Sequence, residues 1–423
     1  MADIFPFHGL RYNDKKVKNT NKVFAPPYDV ISEKEQDKLY SEHPHNVIRL
    51  ILGKQSAKDT AKDNRYTRAA SCFSKWIDDE IMVLDEKPSI YVYVQDYVTV
   101  EGVAKQRIGF FARMKFDDKE EGCLPHELTL AKPKVDRLKL MRAVQANLSP
   151  IFSFYLDPKN AVEAVLKPYI KKKAIIDFKD KENIRHRFWQ IDDPKAIQKV
   201  RKLMRAKRIF IADGHHRYEV SRTYRDEMIA KGNTAIDGYN YCMIYFTGFN
   251  EENLSVLPTH RLVKGITNID DKIKDIEEYF EKKKCKNLSE MLSRQSKSKG
   301  FTLGMYYQGG FYTLAMKSKA LLNNLMKDAP EQWRNLDVAM LNKVVFEHIF
   351  KLNEKQKEEK ISYTRDPEFA VTAVKKKLAD VSFFPNTTKP EQVRKIASSG
   401  HRMPQKSTYF YPKPITGLVI HKF

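Results

Sequence analysis

The stretch Arg208-Ile209-Phe210-Ile211-Ala212-Asp213-Gly214-His215-His216-Arg217 decides how this chain reads. Its opening run, Arg208 to Ile211, is β-branched and aromatic and predicts a buried strand. From Tyr218 to Ala230 the chain is polar with helical spacing, and it stops before Gly232, which suits a C-cap. A strand therefore turns sharply through Gly214 into the first turn of a helix. The backbone N–H groups and positive dipole end of such a turn attract oxyanions. His215, His216 and Arg217 can add directed donors to a phosphate. Asp213 is an acid among anion-binding groups, suited to holding a metal ion, orienting a histidine or accepting a proton. A helix cap with surface histidines is the bland alternative. Six residues in this order favour a phosphate site on a largely solvent-facing first turn.

The 423 residues suffice for about two or three structural units. The 42% hydrophobic and 11% aromatic content describes a folded chain rather than a disordered one. No apolar run approaches the roughly 18–20 residues of a membrane span, so no membrane partner is expected. Met1-Ala2-Asp3-Ile4-Phe5-Pro6 lacks the basic and apolar pattern of a secretory signal. Cys72, Cys123, Cys242 and Cys285 are far apart with no CxxC pair. That argues against a zinc site or disulfide framework and suits a reducing, cytoplasmic setting. Lys and Arg number 76 against 54 Asp and Glu, a formal charge of +22. Such an excess favours acidic partners. Much of it lies in runs such as Lys171-Lys172-Lys173, Lys282-Lys283-Lys284 and Lys375-Lys376-Lys377, which read as solvated faces.

Ala25-Pro26-Pro27-Tyr28-Asp29-Val30-Ile31 cannot be an interior strand, because its two prolines force an extended turn. Ser32-Glu33-Lys34-Glu35 matches a capping box and starts a helix to about Tyr40. Asp29 thus lies on stiffened backbone just ahead of a helix. Asn46 to Leu52 reads as a buried strand, and Thr60 to Asp78 as an amphipathic helix. Ser89 to Val98 and Gln106 to Met114, joined through Glu101-Gly102, read as an antiparallel hairpin with one wet face. Further strands are expected at 150–156, 188–191, 239–246, 301–307 and 311–317, and helices at 134–146, 161–169 and 194–206. The pattern becomes lysine-rich helix and short strand after about Asn268. It gives two regions, 1–265 with the phosphate box and 266–423, the latter returning 403–413 towards the site. The class is mixed α/β, of the α+β type, with mixed or antiparallel pairing and no regular βαβ rhythm.

Other groups could carry chemistry. Pro125 to Arg137 places His126, Glu127 and Arg137 at a loop-to-helix transition. It is not a zinc helix, since Leu130 stands where H-E-x-x-H needs its second histidine. A substrate-binding loop and a capped, charged helix remain equal readings. Arg185-His186-Arg187 and Pro258-Thr259-His260-Arg261-Leu262 set a histidine beside an arginine at a strand edge. Met403 to Lys413 is dense in hydrogen-bonding groups, with Lys406, Ser407 and Thr408 suited to phosphate although no Walker glycines precede them. There is no GxGxxG, and only 16 glycines occur in the chain. The standard nucleotide cradles are absent.

Together, Ala-Pro-Pro-Tyr-Asp-Val-Ile at 25–31, Ser-Pro-Ile-Phe at 149–152, Ala-Asp-Gly-His-His-Arg at 212–217, Pro-Thr-His-Arg-Leu at 258–262 and Met-Pro-Gln-Lys-Ser-Thr at 403–408 resemble one family over essentially the whole chain. It is similar to the large free-serine kinases of the ParB/sulfiredoxin-like superfamily, most closely the pyrophosphate-dependent serine kinases. The resemblance implies a ParB/sulfiredoxin-like catalytic core, an α/β C-terminal region, and phosphoryl transfer from pyrophosphate to L-serine. It also implies that Asp213 to Arg217 is the phosphate-binding box. In the smaller ADP-using serine kinases a glutamate of the N-terminal loop is the base. The corresponding acid here is Asp29, a departure from that pattern.

Independently, a serine hydroxyl needs a carboxylate to accept its proton, and phosphoryl transfer otherwise needs positioning and charge neutralisation. Asp29 is the expected base. Asp213 would bind or orient Mg²⁺, with Gly214, His215, His216, Arg217, Lys406, Ser407 and Thr408 at the donor. His126, Glu127, Arg137, Thr259, His260 and Arg261 are the candidates for the substrate. Serine and pyrophosphate are the expected ligands, and nucleic acid is not an expected partner. The rivals are an ADP- or ATP-dependent serine kinase, a phosphoserine-consuming enzyme, and a ParB-like nucleic-acid or CTP-binding protein. The last should carry a helix-turn-helix and a dimerising tail, and neither is identifiable. The sequence does not fix the oligomeric state.

Overall fold

The computed structural model describes residues 2–99, 102–117, 122–129, 131–233, 237–249, 254–298 and 300–423. Two compact units emerge. The first comprises Met1–Pro125, Thr129–Ser255 and Pro412–Phe423, and the second comprises His126–Leu128 and Val256–Tyr411.

The first unit is built on a sheet of nine strands among the described residues. These are β1 (Ile4–Phe5), β4 (Ile90–Val98), β5 (Ala104–Lys115), β6 (Cys123–Leu124), β8 (Ile151–Leu156), β9 (Ile176–Lys179), β10 (Arg185–Ile191), β11 (Ile209–Asp213) and β12 (Tyr241–Phe249). Small pairings beside it join β2 (Leu10–Tyr12) to β3 (Met82–Leu84), and β7 (Ala146–Asn147) to His421–Lys422. The main order is β6-β11-β8-β12-β5-β4-β10-β9, with β1 on β5. The β6–β11 and β8–β12 pairs are parallel, and β11–β8, β12–β5, β4–β5 and β10–β4 are antiparallel. The expected mixed α/β class with a mixed sheet is what the chain forms.

The helices of this unit are α1 (Glu33–Glu42), α2 (Ile48–Ile51), α3 (Arg65–Asp78), α4 (Ala131–Val144), α5 (Ala161–Ile170), α6 (Pro194–Arg205) and α7 (His215–Ala230). One sheet face, with Val92, Val94, Ile108, Phe110, Ile244 and Phe246, shares a core with Val162 and Leu166 of α5 and Val200 and Met204 of α6. Alternation sends Tyr91, Tyr93, Phe111, Phe188 and Tyr245 to the other face, where their rings pack on one another. Both faces are therefore covered, and Ile90 to Gln95 are all buried. The wet face expected for the β4–β5 hairpin does not exist, because aromatic alternation here serves a second buried layer. Of its proposed turn, Glu101 lies outside the described residues.

Asn46 to Leu52 is a second correction. It contains the one-turn helix α2 rather than a strand. The Asn46 Oδ1 accepts from Ile48 N at 2.9 Å and so starts the turn, while Ile48, Leu50 and Ile51 are all buried. A short apolar run buried on every side carries no period to separate the two states.

The second unit has a six-stranded sheet among the described residues, in the order 280–285, 310–316, 302–307, 381–384, 260–263 and 361–364. Helices Leu288–Ser296 and Pro367–Lys375 pack on it through Met291, Ala370 and Val371. No helix among the described residues is long and apolar enough to cross a membrane. All four cysteines are thiols.

His421, 2% exposed in the first unit, gives a pH prediction. Burial, helped by the charge of Arg113 and opposed by Asp237, pushes its imidazole from 6.5 down to about 3. Between those values the unfolded chain holds a proton that the folded chain does not. Stability is thus fully present above about pH 6.5 and lost as pH falls, by up to about 1.4 kcal/mol per pH unit from this group. The melting temperature is expected to fall from pH 7 to pH 5, and His421→Gln to reduce that slope. An equal slope in the variant contradicts the assignment.

Candidate active site

Four segments of the first unit converge, and each has a local reason for its shape. The strand β11 is irregular against β8 between Ile211 and Asp213, the kind of irregularity that re-aims a side chain at the end of a strand. Gly214 follows at φ 96°, N-capping α7. A Cβ there would be strained by the backbone and would meet the Arg217 guanidinium at 3.1 Å. Pro26 and Pro27 lead into a single 3-10 turn, Tyr28–Val30. Ser32 then caps α1 by accepting from Glu35 N at 3.3 Å. Ala25 is tied to Thr416 by a pair of backbone hydrogen bonds, 3.2 and 2.8 Å. Thr416 Oγ1 in turn lies 3.1 Å from Ser149 Oγ.

At the meeting point Lys413 joins two carboxylates. Its Nζ donates to Asp29 Oδ2 at 2.6 Å and lies 2.5 Å from Asp213 Oδ1. The lysine side chain is 6% exposed, against 16% for Asp213 and 24% for Asp29. Arg217 supplies the next charge, its Nη2 donating to Asp213 Oδ2 at 2.5 Å and its Nη1 to the Pro150 carbonyl. Asp213 thus has a cation on each oxygen. Such charge-assisted bonds fix the carboxylate's position while Asp29 keeps access to solvent.

The first turn of α7 is not the solvent-facing surface expected. His215 is buried and His216 and Arg217 are half-buried, and the Arg217 guanidinium folds back against Gly214. Arg137, on α4, is also buried. It donates to the Ile51 carbonyl at 2.6 Å and pairs with Asp136 at 2.5 Å. Its guanidinium lies 4.1 Å from the centre of the Tyr28 ring. Burial raises the Tyr28 phenol above its ordinary value against the pull of Arg137, so the group is a hydroxyl donor at neutral pH. Tyr28, Arg137, Ser149, Arg217, Ser221 and Met141 line one pocket, which brings guanidinium and hydroxyl groups together with apolar side chains.

The remaining candidates assemble in the second unit. Thr408 donates from N and from Oγ1 to Glu127 Oε1, each at 3.0 Å, and its Oγ1 lies 3.0 Å from His126 Nε2. Ser407 is buried, with its hydroxyl on the Pro404 carbonyl at 2.5 Å. Lys406 is exposed at φ 54°, and its carbonyl accepts from Arg261 Nη2 at 3.0 Å. Arg261 also donates to the Thr259 carbonyl. Burial, with the charge of Arg261, pushes His260 down to about 4. Its ring packs on Phe384, centroids 4.8 Å apart. The strands carrying the other two His-Arg pairs are flanked on both sides rather than at an edge. His186 is a packed residue, 2.6 Å from Tyr93 Oη and 3.0 Å from Asp180 Oδ2.

Sequence reasoning missed Lys413 itself, although it closed the stretch Met403 to Lys413. It also missed Arg107, which is fully buried on β5. An arginine in register with the inward-facing Gly109 and Phe111 of β5 was the available signal.

Sheet and site together define a mixed α/β protein with a lysine-bridged acid pair at the start of a helix. The chain belongs to the DUF1015 family, described as a protein of unknown function, whose sequence profile matches residues 4–339. No curated protein matches it. Distant likenesses exist among solved structures. A free serine kinase in complex with AMP has a TM-score of 0.36 and 11% identity over 68% of this chain and 83% of that one. A conserved hypothetical protein from Pyrococcus furiosus gives 0.35 and 11% over 68% and 87%. SbnI with a C-terminal truncation, from Staphylococcus aureus, gives 0.37 and 11% over 73% and 86%. Likeness at this level says nothing of activity.

Proposed function

We propose that the first unit is a phosphotransferase that moves a phosphoryl group from pyrophosphate to the hydroxyl of L-serine. The observation that carries the reading is the Asp29–Lys413–Asp213 clasp at the start of α7. Phosphoryl transfer asks for a proton acceptor, fixed positive charge and rigid positioning, and the clasp supplies each. The serine Oγ attacks the terminal phosphorus, its proton passes to the Asp29 carboxylate, and the bridging P–O bond breaks. Orthophosphate leaves with the bonding pair. Lys413 and the N-terminus of α7 offset the charge on the donor oxygens. Arg217 holds Asp213 in place, and the pocket beside Tyr28 and Arg137 takes the amino acid, its carboxylate facing the guanidinium groups.

Among the described residues no group of three or more His, Cys, Asp or Glu is placed to hold a metal ion. Mg²⁺ is nevertheless commonly held by one or two carboxylates together with substrate phosphates; Asp213 carries a cation on each oxygen, so Mg²⁺ would bind it together with the donor phosphates only in exchange for one of those contacts. Bound there, Mg²⁺ would neutralise phosphate charge. Pyrophosphate needs no adenine pocket, in keeping with the absence of nucleotide-cradle motifs from the sequence.

With L-serine and Mg²⁺ present and pyrophosphate, ADP or ATP supplied separately at equal concentration, phosphoserine is expected to form fastest from pyrophosphate. Faster formation from either nucleotide reassigns the donor. No phosphoserine from any of them removes serine as the acceptor.

A further inference from the structure

The contacts of Arg107 lead to Lys413. The arginine lies on β5 at 0% exposure. Its guanidinium stacks over the Phe152 ring, 4.5 Å from the centroid. Nη2 donates to the Pro412 carbonyl and to Gln95 Oε1. That second bond orients the Gln95 amide, whose Nε2 donates to the Lys413 carbonyl at 3.3 Å. Two consecutive carbonyls of the returning tail are therefore pinned, one directly and one through a buried glutamine. A four-carbon side chain samples many rotamers, and pinning its backbone fixes the root from which Nζ must reach both carboxylates. Burying a guanidinium is costly, and a hydrophobic residue at this inward position would avoid that cost. The cost makes sense if the tail must be held in one register.

We propose that Arg107 is a positioning residue that places the Lys413 ammonium between Asp29 and Asp213, a claim that rests on reading that clasp as a phosphoryl-transfer centre. Arg107 touches no reacting atom in this scheme. Its loss should lower turnover through Lys413 alone.

The test combines labelling with kinetics. Arg107→Met keeps the stem and removes the donors. In the folded variant, Lys413 is expected to be acetylated by a small amine-reactive ester about tenfold or more faster than in the parent, the loss of one or two hydrogen bonds. Lys207, paired with Asp157 at 3.1 Å in the same unit, should keep its rate. Turnover should fall with little change in KM for serine, and Arg107→Met added to Lys413→Met should cause no further fall. Arg107→Lys, which can still reach one carbonyl, should recover part of the turnover. If Arg107→Met does not fold, Gln95→Leu asks the same question of the Lys413 carbonyl alone. Unchanged Lys413 protection in a folded variant overturns the proposal, as does an added loss in the Lys413→Met background. Should no phosphoserine form even in the parent, the functional reading fails, while the labelling rates still decide the role of Arg107.

Discussion

Asp29→Asn is expected to leave a folded protein that forms phosphoserine about two to four decades more slowly. The amide oxygen can still accept from Lys413, so the 2.6 Å contact and the tie between loop and tail survive. The negative charge is removed, and with it the capacity to take a proton. Asp29 lies in a 3-10 turn before the Ser32 cap, with no intrahelical role in α1, so the melting temperature should barely move. Steady-state turnover at saturating pyrophosphate, read beside a thermal melt, separates the roles. Near-normal turnover in the folded variant would dismiss Asp29 as the base and direct attention to Asp213.

Lys413→Met is expected to lower kcat/KM for pyrophosphate by about two to three decades, the usual cost of removing one preorganised charge from a transition state. Asp29 and Asp213 would then face each other without the ammonium between them, and their mutual repulsion would also resist an anionic donor. Lys413→Arg should recover part of the loss, since the charge persists in a bulkier form. Pyrophosphate kinetics across the three proteins test this. A Lys413→Met enzyme within threefold of the parent would show that the clasp is structural.

The parts of this account that were legible in the sequence are local. The strand, Gly214 and the following helix were readable because a β-branched run, a glycine and a helical period adjoin one another. The capped start of α1 was readable from Ser32 and Glu35. What escaped is long-range. Asp29 and Lys413 are 384 positions apart, and no window of sequence reports that their side chains are hydrogen-bonded. The tail motif also divides where the eye joins it. Lys406, Ser407 and Thr408 pair within the second unit, while Lys413 belongs to the first. Arg217 was visible as a cation in the first turn, but not its fold across Gly214 to the Pro150 carbonyl, which depends on the β8 approach. The α2 error has a different origin, since burial on every side erases the period that distinguishes a strand from a helix.

The most direct test of the phosphoryl-transfer centre follows the phosphorus itself. A ³¹P NMR time course of the purified protein with L-serine, Mg²⁺ and pyrophosphate should show phosphoserine and orthophosphate rising together, one of each per pyrophosphate lost, and neither rising with Asp29→Asn on the same timescale. Pyrophosphate that is stable in the presence of the parent protein, or that yields only orthophosphate, would contradict the account.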